Sequence, residues 1–212
     1  MSSTADAPAD EQREAVVERF KRDLGEGLVS SHVLPGRDVW VRVATDAWMA
    51  AAQAARQAGF DYFCFLSGLD WMPSPYGKGE DDPTQPPPER STAVVQGVTG
   101  GDTRFQVFAR LVDVHRHVGV TLKADVPDDT LTVDTWVPVY AGANWHERET
   151  WEMFGIRFAG HPDLRKLYLP TDFEGFPLRK DFPLLARMVK PWPGIVDVEP
   201  MPAEMGGAED ES

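Results

Sequence analysis

An α+β fold, with helices on one side of a mixed or antiparallel sheet and a long extended segment after it, is what three features of the sequence predict. Two stretches with helical spacing lie in the first sixty residues. Several strand-like stretches then follow one another up to about residue 126, with no helix between them. Beyond Gly155 regular periodicity stops, while bulky apolar residues continue.

The elements follow in order. Residues 1–10 are polar and read as a disordered leader. Over Glu11–Leu24, Ala15, Val16, Phe20 and Leu24 recur at helical spacing, and Gly25 and Gly27 end the helix. Asp38–Val43 alternates as a short strand, with Val39, Val41 and Val43 on one face. Thr45 or Asp46 is expected to cap an alanine-rich helix over Ala47–Ala58, which Gly59 closes. Phe60–Leu69 is dense in apolar residues and reads as a buried strand. The prolines and glycines of 73–90 exclude a packed element, so that stretch is a long loop. Strands are expected over Ser91–Val98, Arg104–Val114 and Val118–Val126, the first two joined by a turn at Gly100-Gly101.

A helix follows over Trp145–Phe154, with Asn144 as N-cap, Glu147 completing a capping box, Gly155 at the C-terminal end, and Arg148 paired with Glu152. The core domain therefore covers 11–155, an extended segment 156–202, and an acidic disordered end 203–212. The extended segment holds Phe158, Leu164, Leu167, Tyr168, Leu169, Phe173, Phe176, Phe182 and Trp192, too many apolar groups for a solvated linker. They need a surface to bury against, either the chain's own domain or another protein.

Composition narrows the function. Of 212 residues, 42% are hydrophobic, enough for a core. A net charge of -13 repels phosphate backbones, which argues against nucleic acid; it also serves solubility. The single cysteine, Cys64, cannot form an intrachain disulfide or ligate a cluster needing about four ligands. It sits in an apolar strand with no adjacent His and reads as an inert thiol. No stretch approaches the roughly 18 apolar residues of a spanning helix, so there is no direct membrane span.

Chemical motifs are incomplete. His146-Glu147 has Thr150 where a zinc protease helix needs its second His, leaving His146 and Glu149 as a weak metal pair. His115 and His117 sit between two strands and read as a solvated turn. No glycine run forms a phosphate loop or dinucleotide fingerprint. Arg165 and Arg179 lie in clusters bracketed by Pro and apolar residues, and read as charged contacts that pin an extended chain.

Two blocks carry a resemblance: Glu147-Arg148-Glu149-Thr150-Trp151-Glu152-Met153-Phe154-Gly155-Ile156-Arg157-Phe158 with His161-Pro162-Asp163-Leu164-Arg165-Lys166-Leu167, and Phe173–Leu184 with Pro177, Arg179, Asp181 and Pro183. They resemble the signature of the C-type subunit of NADH:quinone oxidoreductase (complex I), the 30 kDa-type family of the peripheral arm. Glu152 and Lys166 stand where Asp and Arg are common in that pattern. The resemblance implies a non-catalytic structural subunit of a translocase that passes electrons from NADH to quinone. It implies no catalytic residue and no cofactor in this chain, with NADH, FMN, iron–sulfur clusters and quinone in partner subunits. The implied partners are the quinone-site D-type subunit above all, then the iron–sulfur subunits of B type and I type. The implied location is peripheral, on the cytoplasmic face of the cell membrane. On this reading Glu147, Arg148, Glu149 and Arg165 form a charge network, and Trp151, Met153, Phe154 and Phe158 are its apolar anchors. The nearer alternative is the equivalent subunit of a related membrane-bound hydrogenase or other-donor dehydrogenase complex, since such complexes share the subunit as a module. A metal-dependent hydrolase using His146, Glu149 and His161 is the remote alternative.

Overall fold

Alternating valines build the centre of the sheet. The computed structural model describes residues 10–75 and 89–182. Expectations for residues 1–9 of the leader 1–10, for most of the loop 73–90, and for 183–212 with Pro183 and Trp192 fall outside those residues, while Asp10 is no part of a disordered leader but caps the first helix, its side chain accepting from the Arg13 N–H. Within them run α1 (Glu11–Leu24), β1 (Leu28–His32), β2 (Val39–Val43), α2 (Trp48–Gln57), β3 (Tyr62–Asp70), β4 (Phe105–Asp113), β5 (Val118–Val126), β6 (Thr132–Asp134), α3 (Ala143–Phe154) and β7 (Arg157–Ala159). Five strands form one sheet in the order β1-β2-β5-β4-β3, parallel only between β2 and β5. The short β6 and β7 pair in parallel beside it.

The register sorts the sheet into two faces. Leu66, Ala109, Leu122 and Val41 stand in one row across four strands, all fully buried. Helices α1 and α2 cover this face, and α3 covers its β3 end, where Phe154 and Ile156 lie against Gly68. Trp48 of α2 stacks on Trp136 at 4.2 Å between ring centroids, and both are fully buried. Burial of this apolar layer supplies the main driving force.

The second face is polar at its middle. There Lys123 and Arg42 are in-register neighbours on parallel strands, with Gln106 and Asp125 in the next row. Residues 96–104 cross over them. Lys123 Nζ donates to the carbonyls of Val98 and Gly100, Trp71 Nε1 donates to Gln106, and Arg42 pairs with Asp102 and Asp125. This corrects the strand expected at Ser91–Val98. β4 already pairs on both sides, and two carbonyls of the 91–101 stretch serve a buried ammonium instead of a ladder.

Other expectations change for similar reasons. Strand β1 carries little alternation of its own and exists by pairing with β2. β3 is an edge strand rather than a buried one, with Tyr62 59% exposed and an irregularity at Cys64. The Cys64 Sγ is half-buried and accepts from Arg110 Nη1 at 3.2 Å. A 3-10 turn over Thr45–Ala47 precedes α2, and neither Thr45 nor Asp46 caps it. The Thr45 hydroxyl donates to the Asp125 carbonyl instead. His115 and His117 lie in the turn between β4 and β5.

Candidate assembly site: helix α3 and the segment it holds

Helix α3 buries three charged side chains, Glu147, Arg148 and Glu152. A buried charge is costly unless its hydrogen-bonding capacity is used. Here all three are used on backbone or hydroxyl groups rather than on one another.

Glu147 faces the core. Its carboxylate accepts from the Trp136 N–H at 2.6 Å and the Thr135 hydroxyl at 2.5 Å. Burial pushes its pKa up to about 7, with the two donors only partly offsetting that. The expected capping box is therefore absent. The helix begins at Ala143, which puts Asn144 inside it, and Gly142 stands at the N-cap without a side-chain bond. Two buried donors on another segment hold the carboxyl that would have closed the box.

Arg148 and Glu152 face the following segment. Arg148 donates to the carbonyls of Arg165 and Lys166, at 3.0 and 3.3 Å, with its guanidinium over the Trp145 ring. Glu152 accepts from the backbone N–H groups of Leu167, Tyr168 and Leu169, at 2.6–3.2 Å. Burial raises the Glu152 pKa, but these three N–H groups and the Lys166 ammonium outweigh it and hold the carboxyl below its ordinary value. The expected Arg148–Glu152 pair is thus replaced. Had the two paired, five backbone groups of an irregular segment would have lost their partners. Lys166 closes the loop by donating to the carbonyls of Pro170, Thr171 and Phe173.

The next stretch is pinned from two sides. Gly155 takes φ +78°, and a side chain there would run into Arg179 and Phe176. Through that gap Arg179 Nε donates to the Phe154 carbonyl at 2.7 Å, its guanidinium stacked over Phe176 and Phe105. At the β3–β4 end, Arg104 binds the fully buried Asp70 carboxylate through two nitrogens, 2.9 and 2.7 Å, and reaches Asp181 at 2.9 Å. The Lys180 N–H also donates to Asp70. Burial raises the Asp70 pKa, and Arg104 with the N–H groups of Lys180 and Met72 lowers it further than that.

The structure brings most of the expected residues into this one assembly. Phe154 and Phe158 are buried; Trp151, Met153, Leu164, Pro177 and Arg179 are half-buried; Pro162, Arg165 and Asp181 are exposed; Pro183 lies outside the described residues. The single charge network does not form. Among the described residues Arg165 pairs only with Asp163, both largely exposed, and contributes its carbonyl to Arg148. Glu149 is half-buried and lies outside the pairs described above. His146 packs edge-on against Phe63, while His161 bridges the Asn144 carbonyl and the Asp163 N–H. No group of three potential metal ligands stands together among the described residues. Asp70, Arg104 and Thr135 were missed in the sequence because each acts across the fold, with no local pattern to mark it.

Large side chains of α3 and of the segment it holds remain exposed: Trp145 at 63%, Tyr168 at 65% and Leu178 at 53%. Among the described residues no helix is long and apolar enough to cross a membrane.

Comparison with known proteins gives a consistent picture. A family model described as respiratory-chain NADH dehydrogenase, 30 Kd subunit, matches residues 41–188. A protein of Pseudomonas fluorescens, named as the C/D subunit of NADH-quinone oxidoreductase, is 34% identical over 173 residues, 82% of this chain and 28% of its own length. A protein of the same name from Photorhabdus laumondii is 43% identical over 104 residues, 49% of this chain and 17% of its own. The chain thus matches less than a third of the length of these relatives. Two solved structures share the fold. One is the trypsin-resistant fragment (1–134) of Nqo5, at 23% identity and TM-score 0.50, covering 72% of this chain and 99% of that one. The other is a chain of an archaeal membrane-bound sulfane sulfur reductase, at 19% identity and TM-score 0.62, covering 96% and 97%.

Proposed function

The chain belongs to the 30 kDa-subunit family of respiratory-chain NADH dehydrogenase, and from that premise we propose that it is a non-catalytic assembly subunit of the peripheral arm of a membrane NADH:quinone oxidoreductase. In this role it holds the quinone-site D-type subunit and the B-type and I-type iron–sulfur subunits together on the cytoplasmic side of the membrane. The carrying observation is the α3 clamp. Its buried charges serve the chain's own backbone, which fixes 161–182 without regular structure and leaves Trp145, Tyr168 and Leu178 facing outward. A pre-organised irregular segment with exposed aromatic and aliphatic groups suits protein contact, because its ordering entropy is already met in the free chain. The double C/D name of the relatives supports the D-type subunit as main partner.

NADH, FMN, iron–sulfur clusters and quinone belong to partner subunits on this reading. The one cysteine of the chain, bonded to Arg110 at the edge of the sheet, is not a cluster ligand set. The fold shared with a chain of the sulfane sulfur reductase favours a second reading, the equivalent subunit of a related membrane complex.

Affinity purification of the tagged full chain from detergent-solubilised membranes tests this. Recovery of a quinone-site subunit, iron–sulfur subunits and NADH-oxidising activity is expected. Recovery with a different electron-donor module would favour the second reading. Recovery of the chain alone would sink both.

A further inference from the structure

The five-stranded sheet ends differently at its two edges. Helix α3 closes the β3 edge, where Leu66 and Gly68 are buried and Phe154 and Ile156 lie against Gly68. The β1 edge has no such cover among the described residues. Val29, Ser31, His32 and Leu34 are exposed there, Val29 at 49% and Leu34 at 48%. Strand β1 pairs with β2 alone, and among the described residues no backbone hydrogen bond beyond that ladder reaches residues 29–33. Every second N–H and C=O of the strand therefore points away from the sheet without a backbone partner.

Natural sheet edges are usually protected by charge, proline or a covering element. Here that protection is slight. Gly27–Gly36 ends on Pro35-Gly36 and holds no Asp, Glu, Lys or Arg, in a chain of which 26% is charged. The irregularity between Leu28 and Ser30 lies at the start of the strand and leaves Ser30–His32 in regular register. The Ser30 hydroxyl donates to the Thr99 carbonyl at 2.8 Å, which brings Val98, itself exposed, to the same end of the sheet. This edge precedes residues 41–188, so the family match assigns it no role.

On the reading that the chain is an assembly subunit, we propose that the β1 edge receives an extended strand of a partner subunit, which pairs along Ser30–Leu34 and continues the sheet. The unpaired backbone row selects a strand, since extended backbone presents N–H and C=O groups at the matching spacing. The absence of charge selects a strand that is itself uncharged where it pairs, with apolar side chains to meet Val29 and Leu34. A second copy of this chain offers the same edge but brings another net charge of -13, and that repulsion opposes a β1–β1 pair.

Hydrogen exchange, resolved to single residues by electron-transfer fragmentation, tests this on the tagged full chain, alone and in the complex purified from detergent-solubilised membranes. In the complex the outward amides, every second one from Val29 to Val33, should slow about a hundredfold, while those bonded to β2 stay as they were. Val29→Lys puts a charge on the exposed edge. It should leave the urea midpoint of the isolated chain unchanged and lower the recovery of partner subunits about tenfold. Unchanged outward amides in a complex that contains partner subunits would overturn the inference and leave the assembly reading standing. Equal slowing of all amides in the stretch would also overturn it, because that marks burial without strand pairing. Alternate protection that rises with concentration in the isolated chain, with a dimer in sedimentation, would give the edge to a second copy and remove the partner strand. Recovery of the chain alone would overturn both readings.

Discussion

Trp48 and Glu152 are both almost fully buried, at 0% and 3% exposure, yet they hold different regions by different forces. The layer around Trp48 is apolar side chain packed on apolar side chain, between α2 and the sheet. The segment 161–182 has no such layer. It is held because the Arg148 guanidinium and the Glu152 and Asp70 carboxylates satisfy its backbone, group by group, while its own Arg179 donates to the Phe154 carbonyl at the end of α3. The first arrangement depends on volume and tolerates no cavity. The second depends on charge and on donor geometry, and it responds to pH.

The largest expected effect is in the apolar layer. Trp48→Ala should cost about 3–5 kcal/mol, from lost transfer energy and the cavity left against Trp136. Circular dichroism, fluorescence and amide exchange should all report the same loss in urea. A loss confined to one probe would break the idea that this layer is the cooperative core.

Glu147 lies at the seam between the two regions and should give the next largest effect. Its folded pKa is about 7 against an ordinary 4.5, raised by burial. The folded state therefore binds more protons than the unfolded one between those values, and stability should fall as pH rises through that window. The full wild-type effect is on the order of 3 kcal/mol. Glu147→Gln should remove this slope, measured as urea midpoints at pH 5, 6, 7 and 8. Parallel slopes in the two proteins would show that Glu147 is already ionised in the fold.

Glu152 works in the opposite sense. Its folded pKa is lowered, so its contribution is complete above the unfolded carboxyl range and is lost as pH falls through the folded value. Glu152→Ala should cost about 2–3 kcal/mol locally, since three N–H groups lose a charged acceptor. Exchange at Leu167, Tyr168 and Leu169 should speed up about a hundredfold while the amides of β4 and β5 keep their protection. Equal acceleration in both regions would merge them into one unit.

The smallest expected effect on stability comes from Arg165→Ala, within about 0.5 kcal/mol, because only its carbonyl serves the clamp. Recovery of partner subunits should nevertheless drop in affinity purification from solubilised membranes. A stable chain with normal recovery would remove Arg165 from the contact surface.

The α+β class followed from local pattern. Glu11–Leu24 was legible as a helix from apolar spacing, and Val118–Val126 as a strand from alternation, with the same bounds the structure has. The family signature around Glu147–Lys166 marked the candidate site, because its residues lie close together in the chain.

Partnership was another matter. Arg148 and Glu152 sit four apart and looked like a pair, yet each serves the segment 165–169. Glu147 looked like a cap, yet it serves Thr135 and Trp136. Strand β1 has weak alternation and exists because β2 offers it an edge, while the carbonyls of Val98 and Gly100 go to Lys123 instead of a ladder. The sequence by itself determined which residues are apolar, charged and periodic, because side-chain chemistry and local spacing act over a few residues. Only the tertiary structure decided which groups satisfy one another. A buried polar group takes its partner from whatever backbone the fold brings near, and that distance has no bound in sequence.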